Sequence, residues 1–379
     1  MPDYTIPEGS LISFFSNKVK QYGGINFAQG IPGYAPPEEL LESLRLIIDS
    51  DIHQYAPGKG NHRLLDLIVE KYARPAISRE EVLIVQGATE AIALVYIYLS
   101  QQTRDFTVLS FDPVYESYNN LPLIFGNSFV SFPLENFSLI DFDRLESTII
   151  KEKVKLVMVS SPGNPLGKIY SRKETERLLE MAVKHDFYLL FDAVYKDLYF
   201  NEPPWLPVTN MNDRLFYVNS FSKMLSITGW RIGYLICSSS HMKKIASIHD
   251  YIGLCAPSLL QEAIARYLEQ NSYAEMYLAG LRKKLGKSFH MLKDALEKHR
   301  FNTPPVEGGY FIWAGLPEKF PDGFRFAIDL YEQEKVAVIP GIHFSANGKK
   351  YIRLNIAREE EEIMEGIERI NRFFRSGSL

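Results

Sequence analysis

The sequence predicts an α/β protein: a mostly parallel sheet covered by helices, with a second, smaller α+β lobe. Three observations carry this. Short apolar runs recur between polar or turn residues, namely Val82 to Val85, Phe106 to Leu109, Val154 to Val159, Phe187 to Phe191, Leu215 to Val218 and Ile232 to Cys237. Stretches of helical spacing separate several of them. Runs that are apolar at every position suit strands buried on both faces, which is what helical crossovers produce. After Pro304-Pro305 a second set of strand-like pieces follows, joined by helical or turn segments.

Taken in order, the stretch up to about Ile31 has weak periodicity and is expected to pack on the second lobe. Leu64, Leu65, Ile68, Val69 and Tyr72 are spaced as one helical face before the first strand. Leu178, Leu179 and Ala182 do the same before the fourth. From Leu259 to about His299 the chain reads as helix, with Leu260, Ala263, Ile264, Tyr267 and Leu268 on one face. Tyr310 to Trp313, Val336 to Ile339 and Tyr351 to Ile356 supply the strands of the small lobe. The expected division is an N-terminal arm with part of the small domain over 1–46, a large domain over 47–275 and a C-terminal small domain over 276–379.

The chain has 379 residues and a hydrophobic content of 46%, enough for a large core and one or two domains. A net charge of −4 without a long basic tract gives no overall pull toward nucleic acid or anionic membrane, so a small-molecule partner is expected. Cys237 and Cys255 have no paired spacing, which suggests neither a disulfide framework nor a metal site. The opening Met1-Pro2-Asp3-Tyr4 lacks a secretory pattern, and the longest apolar run, Ala91 to Leu99, is far short of a span. A cytoplasmic protein is the expectation.

The chemistry concentrates in Ser220-Phe221-Ser222-Lys223 and, eight residues on, Arg231 within Gly229-Trp230-Arg231-Ile232-Gly233. A strand ending in hydroxyls and a lysine, followed by a returning strand that carries an arginine, places an amine beside a fixed cation. That pair suits a phosphorylated aldehyde: the amine can form a Schiff base and the guanidinium can hold phosphate. Taken alone, Lys223 would be read as a solvated charge. Gly87-Ala88-Thr89 sits between a strand and a strong helix opening, where free amides can bind an anion; alone it reads as an ordinary turn with a threonine cap, and with Arg231 available phosphate binding is the better reading. Asp192 ends an apolar strand, where a lone carboxylate needs a cation or strong donor. A protonated pyridine nitrogen would serve, and so would the capping of a following turn.

Asn164, in Pro162-Gly163-Asn164-Pro165 at the end of another strand, can donate to a phenolate oxygen. Tyr195 can do likewise and Tyr115 can offer a ring face, though 22 tyrosines make either placement easy to obtain by chance. Alternation in Tyr351-Ile352-Arg353-Leu354-Asn355 puts Arg353 on one strand face, either solvated or built as a carboxylate clamp.

In series these segments resemble the class I/II aminotransferase family of fold type I pyridoxal-phosphate enzymes, from about Gly30 to Ala357. The resemblance implies a seven-stranded large-domain sheet and pyridoxal 5'-phosphate as cofactor. It implies a ping-pong transfer of an amino group from an L-amino acid to a 2-oxo acid. Lys223 is then the Schiff-base lysine, Asp192 the partner of the pyridine nitrogen, and Asn164 and Tyr195 the donors to the phenolic oxygen. Tyr115 stacks on the ring, while Gly87, Ala88, Thr89, Ser220, Ser222 and Arg231 form the phosphate cup. Tyr55 resembles a tyrosine reaching the neighbouring subunit's phosphate, implying a homodimer with shared sites. Gly30, Ile31, Asn164 and Arg353 resemble the substrate-binding set. Departures from the family pattern at Ser161, Leu166, Ala193 and Gln101 to Asp105 remove no chemical group. A carbon–sulfur β-lyase is the adjacent alternative, because the same carbanion can expel a β-substituent. A non-catalytic cofactor-binding regulatory module is a more distant one, disfavoured because no DNA-binding segment is found. Neutral aliphatic, sulfur-containing or aromatic donors are favoured, since no second cation suited to a dicarboxylate can be identified.

Overall fold

The computed structural model describes residues 6–72 and 77–376. The first residues, read above for a leader, lie outside the described ones. A seven-stranded sheet runs, from one edge, Val82–Val85, Gly233–Ile236, Leu215–Ser220, Tyr188–Asp192, Val154–Ser160, Thr107–Asp112 and Ser128–Pro133. Only Gly233–Ile236 is antiparallel to its neighbours. The other pairs are parallel, joined through helices such as Ala88–Gln102 and Arg172–Lys184.

The all-apolar runs have the expected cause. In Tyr188–Asp192 the residues Leu189 and Phe191 join one core cluster while Leu190 joins the other, and Tyr217 and Val218 divide in the same way. Each strand therefore feeds two cores, one per sheet face. Leu190 and Leu156 are fully buried in the cluster beneath helix Ala88–Gln102. Cutting either to alanine would cost about 2–5 kcal/mol through lost transfer energy and the cavity left behind. Sheets of this kind collect ligands outside the carboxyl ends of their strands, and here that edge carries Asp112, Ser160, Asp192 and Ser220.

The second lobe holds the antiparallel strands Ile339–Pro340, Tyr351–Asn355 and Phe311–Gly315, covered by helices that include Gly323–Glu334 and Glu360–Arg375. The run expected as one strand over Val336 to Ile339 is split. Val336–Ala337 pairs with Ile25–Asn26, and Ile339–Pro340 pairs with Tyr351–Asn355. The N-terminal stretch thus packs on this lobe as expected, but it also contains a helix, Leu11–Tyr22, that its weak periodicity concealed. The edge strand Ser128–Pro133 was likewise not expected; it is mostly half-exposed and lacks a continuous apolar run. The long helical region is broken at Ser272, Tyr273 and Ala274, all left-handed, between helices Ser258–Gln270 and Glu275–Lys298. No helix among the described residues is long and apolar enough to cross a membrane.

Candidate active site

The lysine turn is built almost entirely from consecutive residues. Ser220 ends its strand in extended conformation and its hydroxyl accepts the Ser222 amide at 3.1 Å, capping the short helix Phe221–Met224 that carries Lys223. A tight turn over Thr228–Trp230 then leads to Arg231, whose φ of 56° and ψ of 50° are left-handed. This corrects the expectation that Arg231 lies in the returning strand. It stands ahead of that strand, in a conformation costly for a side-chain-bearing residue. There Nη1 donates to the Thr228 carbonyl at 2.9 Å and Nη2 to the Gln86 carbonyl at 3.3 Å. Gly87, with φ +83°, opens helix Ala88–Gln102, and a Cβ on it would collide with the Arg231 guanidinium. Glycine therefore serves both the backbone conformation and the close approach. The Ala88 and Thr89 amides, one step further on, have no hydrogen-bond partner among the described residues.

These groups edge a cavity of about 250 Å³ at the carboxyl end of the sheet. Lys223 enters from one side and donates from Nζ to the Gly30 carbonyl at 2.6 Å. Burial, then the nearby Arg353 and Arg231 charges, lower its ammonium to about 8, against the opposing pull of Asp192. Asp192 lies at the floor, 4% exposed. Burial lifts its carboxyl to about 6, although the Tyr118 hydroxyl donates to Oδ2 at 2.7 Å and the Val194 amide to Oδ1 at 3.1 Å. The turn-capping reading of Asp192 is therefore met by one oxygen, while the carboxylate also faces the cavity.

Arg353 comes from the small lobe and is 1% exposed, so the reading of a solvated strand face does not hold. Its guanidinium lies 4.2 Å from the Phe311 ring centroid and 4.6 Å from that of Phe344. Nη1 donates to Asn164 Oδ1 at 3.0 Å and Nη2 to the Ala28 carbonyl at 2.7 Å, while Nε is buried without a partner. Burial lowers it to about 10, so it stays charged at neutral pH. Accepting from Arg353 leaves the Asn164 side-chain NH₂ free to donate. Burial pushes the Tyr195 phenol well up, keeping it a proton donor.

The cavity brings together Gly30, Ile31, Ala88, Thr89, Tyr115, Asn164, Asp192, Tyr195, Ser220, Ser222, Lys223, Arg231 and Arg353. Gly87 stands just behind, against Arg231. Tyr55 is the exception. It is 81% exposed and lines a separate groove with His53, Cys255 and Ser258. Sequence reasoning missed Tyr118, Phe311, Ile12 and Glu116, which also line the cavity. Tyr118 falls three residues after Tyr115, so their rings meet at 5.5 Å, and that helical spacing was the one signal available.

Comparison with known proteins agrees with this architecture. The model of the family described as aminotransferase class I and II matches residues 22–370. An aspartate aminotransferase of Thermotoga maritima is 30% identical over 93% of this chain and 92% of its own length. A probable N-acetyl-LL-diaminopimelate aminotransferase of Bacillus subtilis is 26% identical, over 97% and 93%. The solved structure of N-succinyldiaminopimelate aminotransferase from Mycobacterium tuberculosis matches with a TM-score of 0.89 at 26% identity, covering 98% of this chain and 100% of that one. The fold is that of the fold type I transferases. The chain belongs to the class I and II aminotransferases and is a pyridoxal-phosphate-dependent transaminase.

Proposed function

We propose that the cavity at Lys223 binds pyridoxal phosphate and carries out the amino-group exchange between an L-amino acid and a 2-oxo acid. The observation that carries this is the pair of opposed, buried, titratable groups facing one space: a lysine lowered to about 8 and an aspartate raised to about 6. The residues fit the cofactor. The unpartnered Ala88 and Thr89 amides, with Thr89, Ser220 and Ser222 hydroxyls and Arg231, suit a phosphate. The space a Cβ on Gly87 would fill is what lets Arg231 join them. Asp192, kept from water and short of a counter-charge, suits a protonated pyridine nitrogen. Asn164 and Tyr195 would donate to the phenolic oxygen and Tyr115 would lie against the ring.

When bound, the cofactor supplies an aldehyde that condenses with amines and a ring that withdraws electrons from the adjoining carbon. The chain supplies the rest. Lys223, lowered to about 8, would hold the cofactor through its aldehyde and, when free, would take and return the substrate Cα proton. Asp192 would keep the ring nitrogen charged, and Tyr118 holds Asp192. Arg353 would fix the substrate carboxylate, its buried guanidinium lining the cavity without a carboxylate partner among the described residues, with Gly30 and Ile31 forming the adjacent wall. Replacing Lys223 by alanine should abolish turnover and the absorbance change that an amino acid produces in the bound cofactor. Normal turnover in that variant would end the assignment.

The same proposal includes a homodimer, in which Tyr55 reaches the phosphate of the other subunit. It is supported by Tyr55 being exposed and lining a groove other than its own cavity, and by the exposed Tyr251, Ile252 and Leu254. Sedimentation at micromolar concentration tests it, with a monomer as the contrary result. The domain limits at residues 46 and 275 are supported by the pairing of Ile25–Asn26 with Val336–Ala337 and by the helix starting at Glu275. A cytoplasmic setting is supported by Cys237 and Cys255 remaining free thiols.

A further inference from the structure

We infer that Glu116 sets side-chain specificity by rejecting substrates whose side chain carries a carboxylate; this rests on the reading of the cavity just given. Glu116 opens helix Glu116–Ile124 directly after Tyr115 and lines the cavity, as do Ile12 and Ile31. Its Oε2 receives the Ser10 hydroxyl at 3.1 Å and lies 2.8 Å from His343 Nε2. Oε1 has no partner among the described residues, and the side chain is 28% exposed. The His343 side chain 2.8 Å away holds the carboxyl below the usual range against burial, and the Arg353 charge adds to this, so it is ionised at neutral pH.

The cations facing the cavity are Lys223, Arg231 and Arg353. Each has a use, for the aldehyde, the phosphate and the α-carboxylate. None lining this subunit's cavity remains for a second carboxylate, and Glu116 adds a negative charge to the wall. An aspartate or glutamate side chain would meet a fixed like charge in a partly dry space, where such pairs repel strongly. Ile12, Ile31 and Phe311 instead offer apolar surface. The 2-oxo acid enters the same space, so acidic acceptors meet the same repulsion. The Thermotoga maritima relative is named for aspartate; this chain is assigned neutral side chains.

A structural reading must be separated from the electrostatic one. Ser10 comes from the N-terminal arm and His343 from the small lobe, so Glu116 also ties three segments together. A tie alone would make Glu116→Gln and His343→Gln behave alike, slowing every donor in parallel. Charge discrimination makes them diverge.

The test mixes holoenzyme with single amino acids, without acceptor, and follows the cofactor absorbance. Leucine, methionine or phenylalanine should exceed aspartate and glutamate in kcat/KM by about tenfold or more. Glu116→Gln should raise the acidic-to-neutral ratio by about tenfold, and His343→Gln, which removes the tie but keeps the carboxylate, should leave that ratio in favour of neutral donors. Aspartate or glutamate reacting fastest in the native enzyme, or parallel changes in the two variants, would overturn the inference while leaving the transaminase site intact. A bound cofactor that responds to no amino acid would overturn the reading of the cavity, and this inference with it.

Discussion

Arg231 and Arg353 are both guanidiniums facing the same cavity, yet the molecule holds them in opposite ways. Arg231 is placed mainly by its own neighbourhood: a left-handed backbone, the Thr228 carbonyl three residues back and Ser222 nine residues back at 3.5 Å, with the Gln86 carbonyl at 3.3 Å as a partner distant in sequence. Arg353 is placed by the whole fold. Its partners Asn164 and Ala28 lie 189 and 325 positions away, and the two rings flanking it come from different segments of the small lobe. A locally held charge depends on a turn, whereas a globally held one depends on both lobes staying together. The first can be lost without harm to the fold; the second cannot be altered without leaving buried groups unpaired.

The hardest way to break the contrast is Arg353→Lys. A single ammonium cannot serve Asn164, the Ala28 carbonyl and a substrate carboxylate together. With about 1.5–3 kcal/mol for each charged hydrogen bond, kcat/KM should fall on the order of a hundred- to a thousandfold, with cofactor affinity nearly unchanged. Arg231→Ala should do the reverse. Cofactor affinity should drop by about ten- to a hundredfold in a spectroscopic titration, while kcat recovers at saturating cofactor. Gly87→Ala should mimic it more weakly, because the new methyl displaces Arg231 rather than removing it; about tenfold weaker cofactor binding is expected. If Gly87→Ala instead lowers kcat/KM with full cofactor occupancy, Arg231 is not the local phosphate anchor that the contrast requires.

The smallest effect sharpens the comparison through pH. In the cofactor-free protein Asp192 has its carboxyl raised from 3.8 to about 6. A raised acid favours the folded state when protonated, so its contribution is complete below about 4 and is lost as pH rises through about 6. Binding that demands the ionised form should therefore strengthen as pH rises across the same window. Calorimetric titration of the cofactor between pH 5 and 7.5 reads this directly. Tyr118→Phe removes a donor that lowers the Asp192 pKa, so the window should move upward. An unchanged or lowered window would show that Tyr118 does not support the carboxylate.

The same contrast explains what was legible in the sequence. Residues 220 to 233 announce themselves because their chemistry is contiguous: hydroxyls, lysine, tight turn, arginine, strand. Arg353 was visible only as one member of an alternating strand. Burial, which decides between solvated face and clamp, depends on Phe311, Phe344 and residues over 150 positions away. Tyr118 and Glu116 escaped because helix spacing, not local motif, brings them to the wall, and His343 because small-lobe docking brings it against Glu116. Even the local reading had a limit, since placing Arg231 in the strand missed the left-handed residue that aims it.

Beneath the lysine turn lies a chain of hydroxyls. The Ser220 amide donates to Asn219 Oδ1 at 2.7 Å, and Asn219 Nδ2 donates to the Tyr234 hydroxyl at 2.7 Å. That hydroxyl lies 2.8 Å from Tyr72, whose oxygen is 3.1 Å from that of Tyr217. Directional links of this kind do not slide as aliphatic contacts do. Anyone re-engineering this enzyme for a new donor therefore has latitude in the walls and almost none in the foundation.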